Sequence, residues 1–238
     1  MARRTVWSDL RDYLGDSDSR RGWALCAQDG IISTAGILLG FVGAGADEET
    51  LLVAGQAAIV AGMLTAGGAK WSETATRRAV ELKAIADERA SQRTDGASEA
   101  AAERAELIAY YMKKGLAPAL AEEVADELLV RSPLKAALEA EHGIVRLTSV
   151  GEVLITGAGA ALAYGFGAAV PLLIAWYVPL RIELMLVLFS VVVSLVMVSV
   201  AGARAGGMDM WRTILRTLVV AAVTIGMSYT VGTIGEDI

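Results

Sequence analysis

The sequence contains one cysteine, one histidine and four prolines in 238 residues. Because Cys26 is alone, an intrachain disulfide and a cysteine metal cluster are both excluded. Because His142 is alone, one chain cannot build a histidine-rich metal site, and we expect this residue at a surface or a helix end. A nucleophile with its base, a phosphate-binding loop and a dinucleotide-binding motif are also missing. We therefore expect neither an enzyme nor a tightly bound cofactor, and no nucleic-acid partner.

Charged residues are scarce over much of the chain. They make up 20% of the sequence, but they concentrate near the N-terminus and between Lys70 and Arg146. The other stretches are apolar and rich in glycine, of which the chain has 25. A spanning helix needs about 20 mostly apolar residues, and glycine allows such helices to pack closely. This segregation predicts an integral membrane protein.

Five apolar stretches are long enough to cross a bilayer. They cover approximately residues 22–46, 51–68, 147–176, 180–203 and 211–234. Span two continues without a helix breaker to about Ala90, beyond the membrane, and span three is expected to break or end near Pro171 and Pro179. The predicted fold class is an all-α membrane protein with five transmembrane helices and a cytoplasmic three-helix insert between spans two and three.

The predicted boundaries divide the chain into four parts. These are an amphipathic N-terminal segment (1–21), spans one and two (22–72), an acidic helical insert (73–146) and spans three to five (147–238). Within the insert, residues 91–98 have the composition of a linker. Helices are expected to begin near Ala97, Ala117 and Pro133, because proline is favoured in the first turn of a helix.

Basic residues near the span ends predict the orientation, because they favour the cytoplasmic side. They form three clusters, which are Arg3, Arg4, Arg11, Arg20 and Arg21, then Lys70, Arg77, Arg78 and Lys83, then Arg204, Arg212 and Arg216. With five spans, all three clusters fall on one side. We expect the N-terminus and the insert in the cytoplasm, the C-terminus outside, and a bacterial inner membrane as the location.

Asp29 is the most unusual residue of span one. An ionisable side chain inside a spanning helix is expensive and usually has a function. It follows Arg21 by eight residues, about 12 Å along a helix, so the alternative is a hydrated carboxylate near the cytoplasmic end. Glu152 lies a few residues into span three, at a comparable predicted depth. The two carboxylates are candidates to face each other and to share a cation or a proton.

The insert carries carboxylates at helical spacing. Glu99, Glu103 and Glu106 share one helix face. Glu81 and Glu88 share a face of the extension of span two. Such clusters suit hard or borderline divalent ions such as Mg, Ca, Mn and Fe(II). The alternative is a solvated charged face, since glutamate is also a good helix former.

Small residues recur along one side of span one, at Gly36, Gly40 and Gly43. This spacing is typical of a close helix–helix contact in membranes. Two partners for that contact remain open at this point, because it lies either within the chain or with a second copy.

Several short strings appear in a defined order along the chain. They are residues 28–34 (QDGIIST), 54–55 and 61–62 (both AG), 106–111 (ELIAYY), 114–116 (KGL), 141–144 (EHGI) and 169–172 (AVPL). In this order, and with the long charged continuation of span two, they resemble the vacuolar iron transporter (VIT) family. The resemblance covers nearly the whole chain from about Arg20.

The resemblance implies five spanning helices per chain, a metal-binding insert and a homodimer with the ion path at its interface. It also implies export of Fe(II), Mn(II) or a related divalent ion from the cytosol in exchange for protons, with the metal ion as substrate. Asp29 matches the family's aspartate in the ion path. Glu88, Glu103, Glu106 and Glu141 fall at the positions of the metal-binding glutamates of the insert.

The chain departs from the family's pattern in span two, in the insert and in span three, where the resemblance does not predict Glu152. The resemblance predicts a glutamate and a methionine in span two where this chain has Ala58 and Ala66. It predicts methionines in the insert where the chain has Ala137 and Leu138. Without thioether ligands, the preference for Fe(II) over harder ions is expected to weaken.

Loss of the span-two glutamate removes half of the charge that would hold a desolvated divalent ion. One interpretation is that Gln56 and Glu152 compensate and join Asp29 in the transport path. Another is that the chain carries a different substrate. The third is a membrane protein that does not transport and acts as a metal sensor or scaffold through its acidic insert.

Overall fold

The computed structural model describes residues 10–11, 13, 15–94, 97–177 and 180–236, and the side chains of these residues except within 91–100, 180–184 and 236. Over these residues the chain is helical and contains no strand, which confirms the predicted all-α class. The eight helices are α1 (Ser17–Gly43), α2 (Glu48–Thr94), α3 (Ala97–Lys113), α4 (Pro118–Arg131), α5 (Pro133–His142), α6 (Val150–Tyr177), α7 (Leu180–Gly206) and α8 (Met210–Glu236). Most of the first half of the predicted amphipathic segment 1–21 lies outside the described residues.

Five of the helices are long and apolar enough to cross a membrane. By length and composition the spans are Ser17–Gly43, Glu48–Ala90, Val150–Tyr177, Met185–Gly206 and Met210–Gly235. The shortest of these helices has 22 residues, which is about 33 Å at 1.5 Å per residue and exceeds the hydrocarbon core of about 30 Å. The chain is therefore an integral membrane protein with the predicted number of spans.

The chain divides into two compact units, and α2 contributes to both. The membrane unit consists of Met1–Glu73 and Gly151–Ile238, and the insert unit of Thr74–Val150. The sequence placed the insert at 73–146. Because the units are separate bodies, each is described by itself.

The core of the membrane unit is built around α1. Ile31, Ala35 and Leu39 of this helix are buried against apolar residues of α7 and α8, among them Val191 and Ile225. Half of the most apolar stretch of α1 is buried, a larger share than in the other four spans. The remaining spans therefore pack around α1, and its rotation decides which of its side chains stay outside the bundle.

Glycines bring α1 and α8 into backbone contact. A Cβ added to Gly232 would collide with the carbonyl of Gly40, and one added to Gly43 would lie 2.6 Å from the carbonyl oxygen of Tyr229. A Cβ added to Gly36 would lie 3.3 Å from Ser228 Oγ. The seam predicted at Gly36, Gly40 and Gly43 is therefore a contact within the chain, which decides between the two alternatives left open above.

A second set of close contacts joins α6 to α1 and α2. A Cβ at Gly30 would collide with the carbonyl oxygen of Tyr164, and one at Gly62 would collide with the Tyr164 ring. Near the other end of this contact, Gly157 lies against Trp71. Tyr164 is 5% exposed, so its ring fills the space that the glycines leave.

Two predicted interruptions have other bounds in the structure. Span three was expected to break or end near Pro171 and Pro179. Pro171 lies inside α6, and the helix ends at Tyr177, near Pro179. Proline is tolerated in spanning helices whose neighbours are packed tightly, and Pro171 is fully buried. The predicted linker at 91–98 is helical as far as Thr94, because none of its first four residues breaks a helix.

The insert unit holds a small apolar core between α3, α4 and α5. Leu107, Ala125 and Ala136 are its buried members. Arg104 donates two hydrogen bonds to Asp126, at 2.5 and 2.8 Å, which link α3 to α4. The planar guanidinium and carboxylate match in such a pair, so the two helices are held in register.

Glu81 links the extension of α2 to the segment that leads into α6. Its side chain is 6% exposed. It accepts hydrogen bonds from the backbone N–H of Thr148 at 2.7 Å and from Thr148 Oγ1 at 3.0 Å. Arg77 Nε also donates to it, at 3.1 Å. Glu81 was a candidate metal ligand, but the structure gives it a structural role, because three protein donors already use its oxygens.

Replacement of Gly232 by alanine tests the contact between α1 and α8. The added methyl would meet backbone atoms of Gly40 and Ala44, which have no rotamer to change. We expect Gly232→Ala to destabilise the bundle by about 1–3 kcal/mol through overpacking. The measurement is thermal unfolding of the full chain in detergent. Gly226→Ala on the same helix is the control, because nothing lies within 4 Å of that site. Equal stability of the two variants would contradict the contact.

Removal of the Glu81 carboxylate tests the link to Thr148. In Glu81→Ala the amide and hydroxyl of Thr148 remain buried without an acceptor, at an expected cost of about 2–4 kcal/mol to this local structure. Hydrogen–deuterium exchange of the full chain should show faster exchange at Thr148. In the control Glu127→Ala, which removes an exposed ion pair with Arg131, exchange at Thr148 should not change. Slow exchange in both variants would argue against the link.

Candidate functional site

One face of α1 is not covered by the other helices that the structure describes. Leu25, Ile37 and Phe41 are 48%, 38% and 40% exposed. Asp29 is exposed between them, and Ser33 donates a hydrogen bond to its Oδ1 at 3.3 Å. These five residues recur every four positions, so they form one stripe along the helix. We call them the α1 stripe, and Asp29 is its only ionisable member.

Contacts between helices give the depth of Asp29. Its neighbour Gly30 lies against Tyr164, and the ring of Tyr164 lies against Gly62 of α2. Gly62 precedes Lys70 by eight residues and follows Glu49 by thirteen, which is about 12 Å and about 20 Å along a helix. Between these two charges α2 carries no ionisable side chain. Asp29 therefore lies well inside the apolar layer, which argues against a hydrated carboxylate at a span end.

Gln28 holds α1 in the rotation that exposes Asp29. Its side chain is 7% exposed, and its Nε2 donates to Ser199 Oγ of α7 at 3.0 Å. Consecutive helix residues differ by about 100° around the axis, so a buried Gln28 turns Asp29 away from α7. Sequence reasoning did not single out Gln28. The polar pair Gln28-Asp29 within an apolar run was the available signal.

The two alanines that replace expected transport residues flank the level of Asp29. Ala58 and Ala66 are both partly exposed on α2. Each lies four residues from Gly62, which is about 6 Å along the axis. Gln56, proposed above as a substitute ligand, is exposed and lies six residues from Gly62, about 9 Å toward the Glu49 end. The two replaced positions therefore lie close in depth to Asp29 and carry no ligand group.

Glu152 does not share the depth of Asp29. It lies in the first turn of α6, twelve residues before Tyr164, about 18 Å along the helix. Within one chain the two carboxylates therefore lie at different levels of the bundle, since Glu152 is in the first turn of α6 and Asp29 is at the level of Tyr164. Glu152 is partly buried and interacts with neighbouring groups. A carboxylate in the first turn also interacts favourably with the helix dipole.

Three of the predicted insert ligands converge. Glu103 and Glu106 of α3 and Glu141 of α5 line one cavity of about 10 Å³, together with Ala137 and Ala140. That volume is close to the minimum for a single water molecule. Ala137 stands where the VIT resemblance predicts a methionine, so carboxylates supply the polar part of the lining.

The other predicted ligands lie elsewhere. Glu88 is partly buried on α2 and interacts with neighbouring groups, and it does not line this cavity. The side chain of Glu99 lies outside the described residues. Among the side chains that the structure describes, no group of three or more His, Cys, Asp and Glu is arranged to hold a metal ion. The three glutamates converge, but they would have to move closer together to bind one ion.

His142 ends α5 at the surface, as expected for a lone histidine. Its Nε2 lies 3.9 Å from the Glu141 carboxylate, and both side chains are 42% exposed. Gly143 follows with φ of 64° and ends the helix in the left-handed conformation that glycine favours. His142 therefore marks the end of the helix that carries Glu141.

Comparison with protein families matches residues 21–233 to the VIT family. A comparison with curated proteins finds no match. The family match covers the five spans and the insert, in the same order as the strings identified in the sequence. Membership of this family indicates a membrane transporter of metal ions. On this match over nearly its whole length, together with its five spans, the chain belongs to the VIT family.

Proposed function

We propose that the chain exports a divalent cation, Fe(II) or Mn(II), from the cytosol by proton antiport, and that it works as a homodimer. One observation carries this proposal. Asp29 lies about 12 Å inside the apolar layer, on a face of α1 that the other described residues leave exposed. A carboxylate exposed to lipid at this depth is energetically costly. We therefore expect a further polar or charged group to contact it.

A second copy of the chain supplies that group. In a twofold dimer the same face of both copies meets, so α1 stripes in contact would bring the two Asp29 carboxylates together. Leu25, Ile37 and Phe41 provide the apolar surface around them. Such a dimer removes the lone carboxylate from lipid and places the site at the interface.

Two facing carboxylates provide a means of coupling. Like charges at short range raise the proton affinity of one of them, and a divalent ion between them satisfies both without a proton. Metal and proton therefore compete for one pair of groups. Alternating exposure of the pair to the two sides of the membrane gives exchange of metal for protons.

The insert unit would collect the ion before transport. Glu103, Glu106 and Glu141 provide carboxylate oxygens from two helices. Oxygen ligands suit Mn(II) and Fe(II), and the absence of a thioether from this cavity's lining weakens selection against harder ions. The excess of basic residues near the same end of the spans supports a cytoplasmic insert.

A second candidate function is a metal sensor or scaffold that does not transport. The specific observation in its favour is the pair Ala58 and Ala66, which leaves both replaced positions of α2 without a ligand. A site of two aspartates from two chains has half of the carboxylates that the family pattern implies. Flux measurements separate the two candidates.

Replacement of Asp29 by asparagine tests the transport site. Asp29→Asn keeps the size of the side chain and removes its charge, so we expect metal flux to fall at least about tenfold through loss of a ligand of the desolvated ion. The measurement is uptake of Fe(II), Mn(II), Co(II) and Zn(II) into proteoliposomes with an internal pH dye.

Glu49→Gln is the matched control for flux, because Glu49 is exposed at the start of α2, outside the apolar run. Unchanged flux in Asp29→Asn would reject the site. Metal binding by the unmodified chain without any metal-dependent proton movement would reject transport and support the sensor.

A triple replacement tests the insert as the capture site. Glu103→Gln, Glu106→Gln and Glu141→Gln together should weaken Mn(II) binding at least about tenfold, since neutral amides bind divalent ions poorly. Calorimetry gives the affinity, and the flux assay should show a higher KM with the maximal rate kept. The matched control changes Glu122, Glu123 and Glu127 of α4 to glutamine, which removes three exposed carboxylates. An equal loss in both triple variants would indicate general charge attraction instead of a site.

A further inference from the structure

The membrane unit has a second feature, a groove on its outer surface between α1, α6 and α7. Its volume is about 900 Å³ and it is open on one side. Four residues form the mouth, which are Tyr13, Arg20, Trp23 and Arg204. The floor consists mainly of small residues, among them Ala24, Ala27, Ala163 and Ala201. Phe166 and Met197 form the far end of the groove. We call it the α1–α7 groove.

The groove and the α1 stripe use opposite sides of α1. Arg20, Ala24 and Ala27 point into the groove, whereas Leu25 and Asp29 are exposed on the stripe. At about 100° per residue, the mean directions of the two sets are roughly opposite. A second copy that covers the stripe therefore leaves the groove open, and the inference below does not depend on the proposed transport function.

Polar and positive groups collect at the mouth. Trp23 Nε1 donates a hydrogen bond to Tyr13 Oη at 2.9 Å, and both groups lie against Gly159. Tyr and Trp prefer the interface between lipid and water. Arg20 and Arg204 are exposed, and among the described residues neither forms an ion pair, whereas nearby Arg21 pairs with Asp18 at 3.7 Å.

The rest of the groove is apolar and runs into the bilayer. It begins at Arg20 and reaches Phe166. Phe166 lies between Tyr164 and Ala168, the residues of α6 that Gly30 contacts, so the groove ends near the level of Gly30. This distance corresponds to about ten residues of α1, or about 15 Å, and one hydrocarbon leaflet is also about 15 Å thick. Phe166 and Met197 at the far end are 69% and 67% exposed. The groove therefore has the length of one leaflet, with cations at the surface end.

We propose that the α1–α7 groove binds one anionic phospholipid. The phosphate lies between Arg20 and Arg204 at the mouth, and one acyl chain lies on the alanine floor toward Phe166 and Met197. Charge complementarity selects the headgroup, because guanidinium groups bind phosphate through paired N–H donors. The small floor residues leave room for a chain that larger side chains would displace.

Lipid retention tests the proposal. The full chain in detergent is given phosphatidylglycerol or phosphatidylcholine with identical acyl chains at equal concentration, and bound lipid is counted by native mass spectrometry. Each arginine near the membrane surface should favour the anionic lipid about fivefold, and both together about 30-fold. Arg20→Gln with Arg204→Gln should remove most of this preference. Arg212→Gln with Arg216→Gln should retain it, because those arginines lie at the same end of the bundle but outside the groove.

A second variant tests the floor separately from the charges. Ala201 is exposed and lines the groove, so Ala201→Trp fills the space without disturbing the core and should abolish retention of phosphatidylglycerol. Ala222→Trp, on the exposed side of α8, is the control and should retain it. Inorganic phosphate at millimolar concentration should not displace the lipid, because it lacks an acyl chain.

Three results would overturn the proposal. Equal retention of both lipids would remove the role of the arginines. Displacement by inorganic phosphate would indicate a simple anion site at the mouth. A change of oligomeric state in Ala201→Trp, with no lipid bound to the unmodified chain, would show that a second copy covers the groove.

Discussion

Close contact between backbones, made possible by glycine, is the constraint on which the membrane unit depends. Gly40 meets Gly232 of α8, and Gly30 meets the carbonyl of Tyr164 in α6. In lipid there is little hydrophobic force between helices, so packing of this kind supplies much of the association energy. A helix held on two sides by backbone contact has little freedom to rotate. This restriction therefore fixes the direction in which all the other side chains of α1 point.

The fixed rotation of α1 separates two faces with different chemistry. The buried hydrogen bond from Gln28 to Ser199 turns Asp29 outward into the α1 stripe. The same rotation turns Arg20 and Ala24 into the groove beside α7. A transport site that needs a second copy and a lipid site that needs an open surface are therefore compatible on one helix. In the proposed dimer, a lipid bound in the groove would contact the side of α1 opposite Asp29. It would therefore affect how α1 packs against its neighbours.

The insert unit shows how carboxylates with the same spacing acquire different roles. Glu81 accepts three hydrogen bonds from Thr148 and Arg77 and links α2 to the segment before α6. Glu103 and Glu106 of α3 line a small cavity together with Glu141 of α5. Charge repulsion opposes the approach of these three groups, and a cation would relieve it. Binding of metal would then tighten the contact between α3 and α5, which gives the proposed sensor function a mechanism.

The sequence by itself determined the helical class, the five spans and the family, because apolar length and short ordered strings are local properties. It also identified Asp29 as an intramembrane charge. It could not decide the partner of the glycine seam, the depth of Glu152 or the role of Glu81, since each depends on which residues of distant helices meet. The α1–α7 groove likewise joins residues from 13 to 205. Only the tertiary structure decided these points, because the packing of α1 against α6, α7 and α8 sets the level and direction of each side chain.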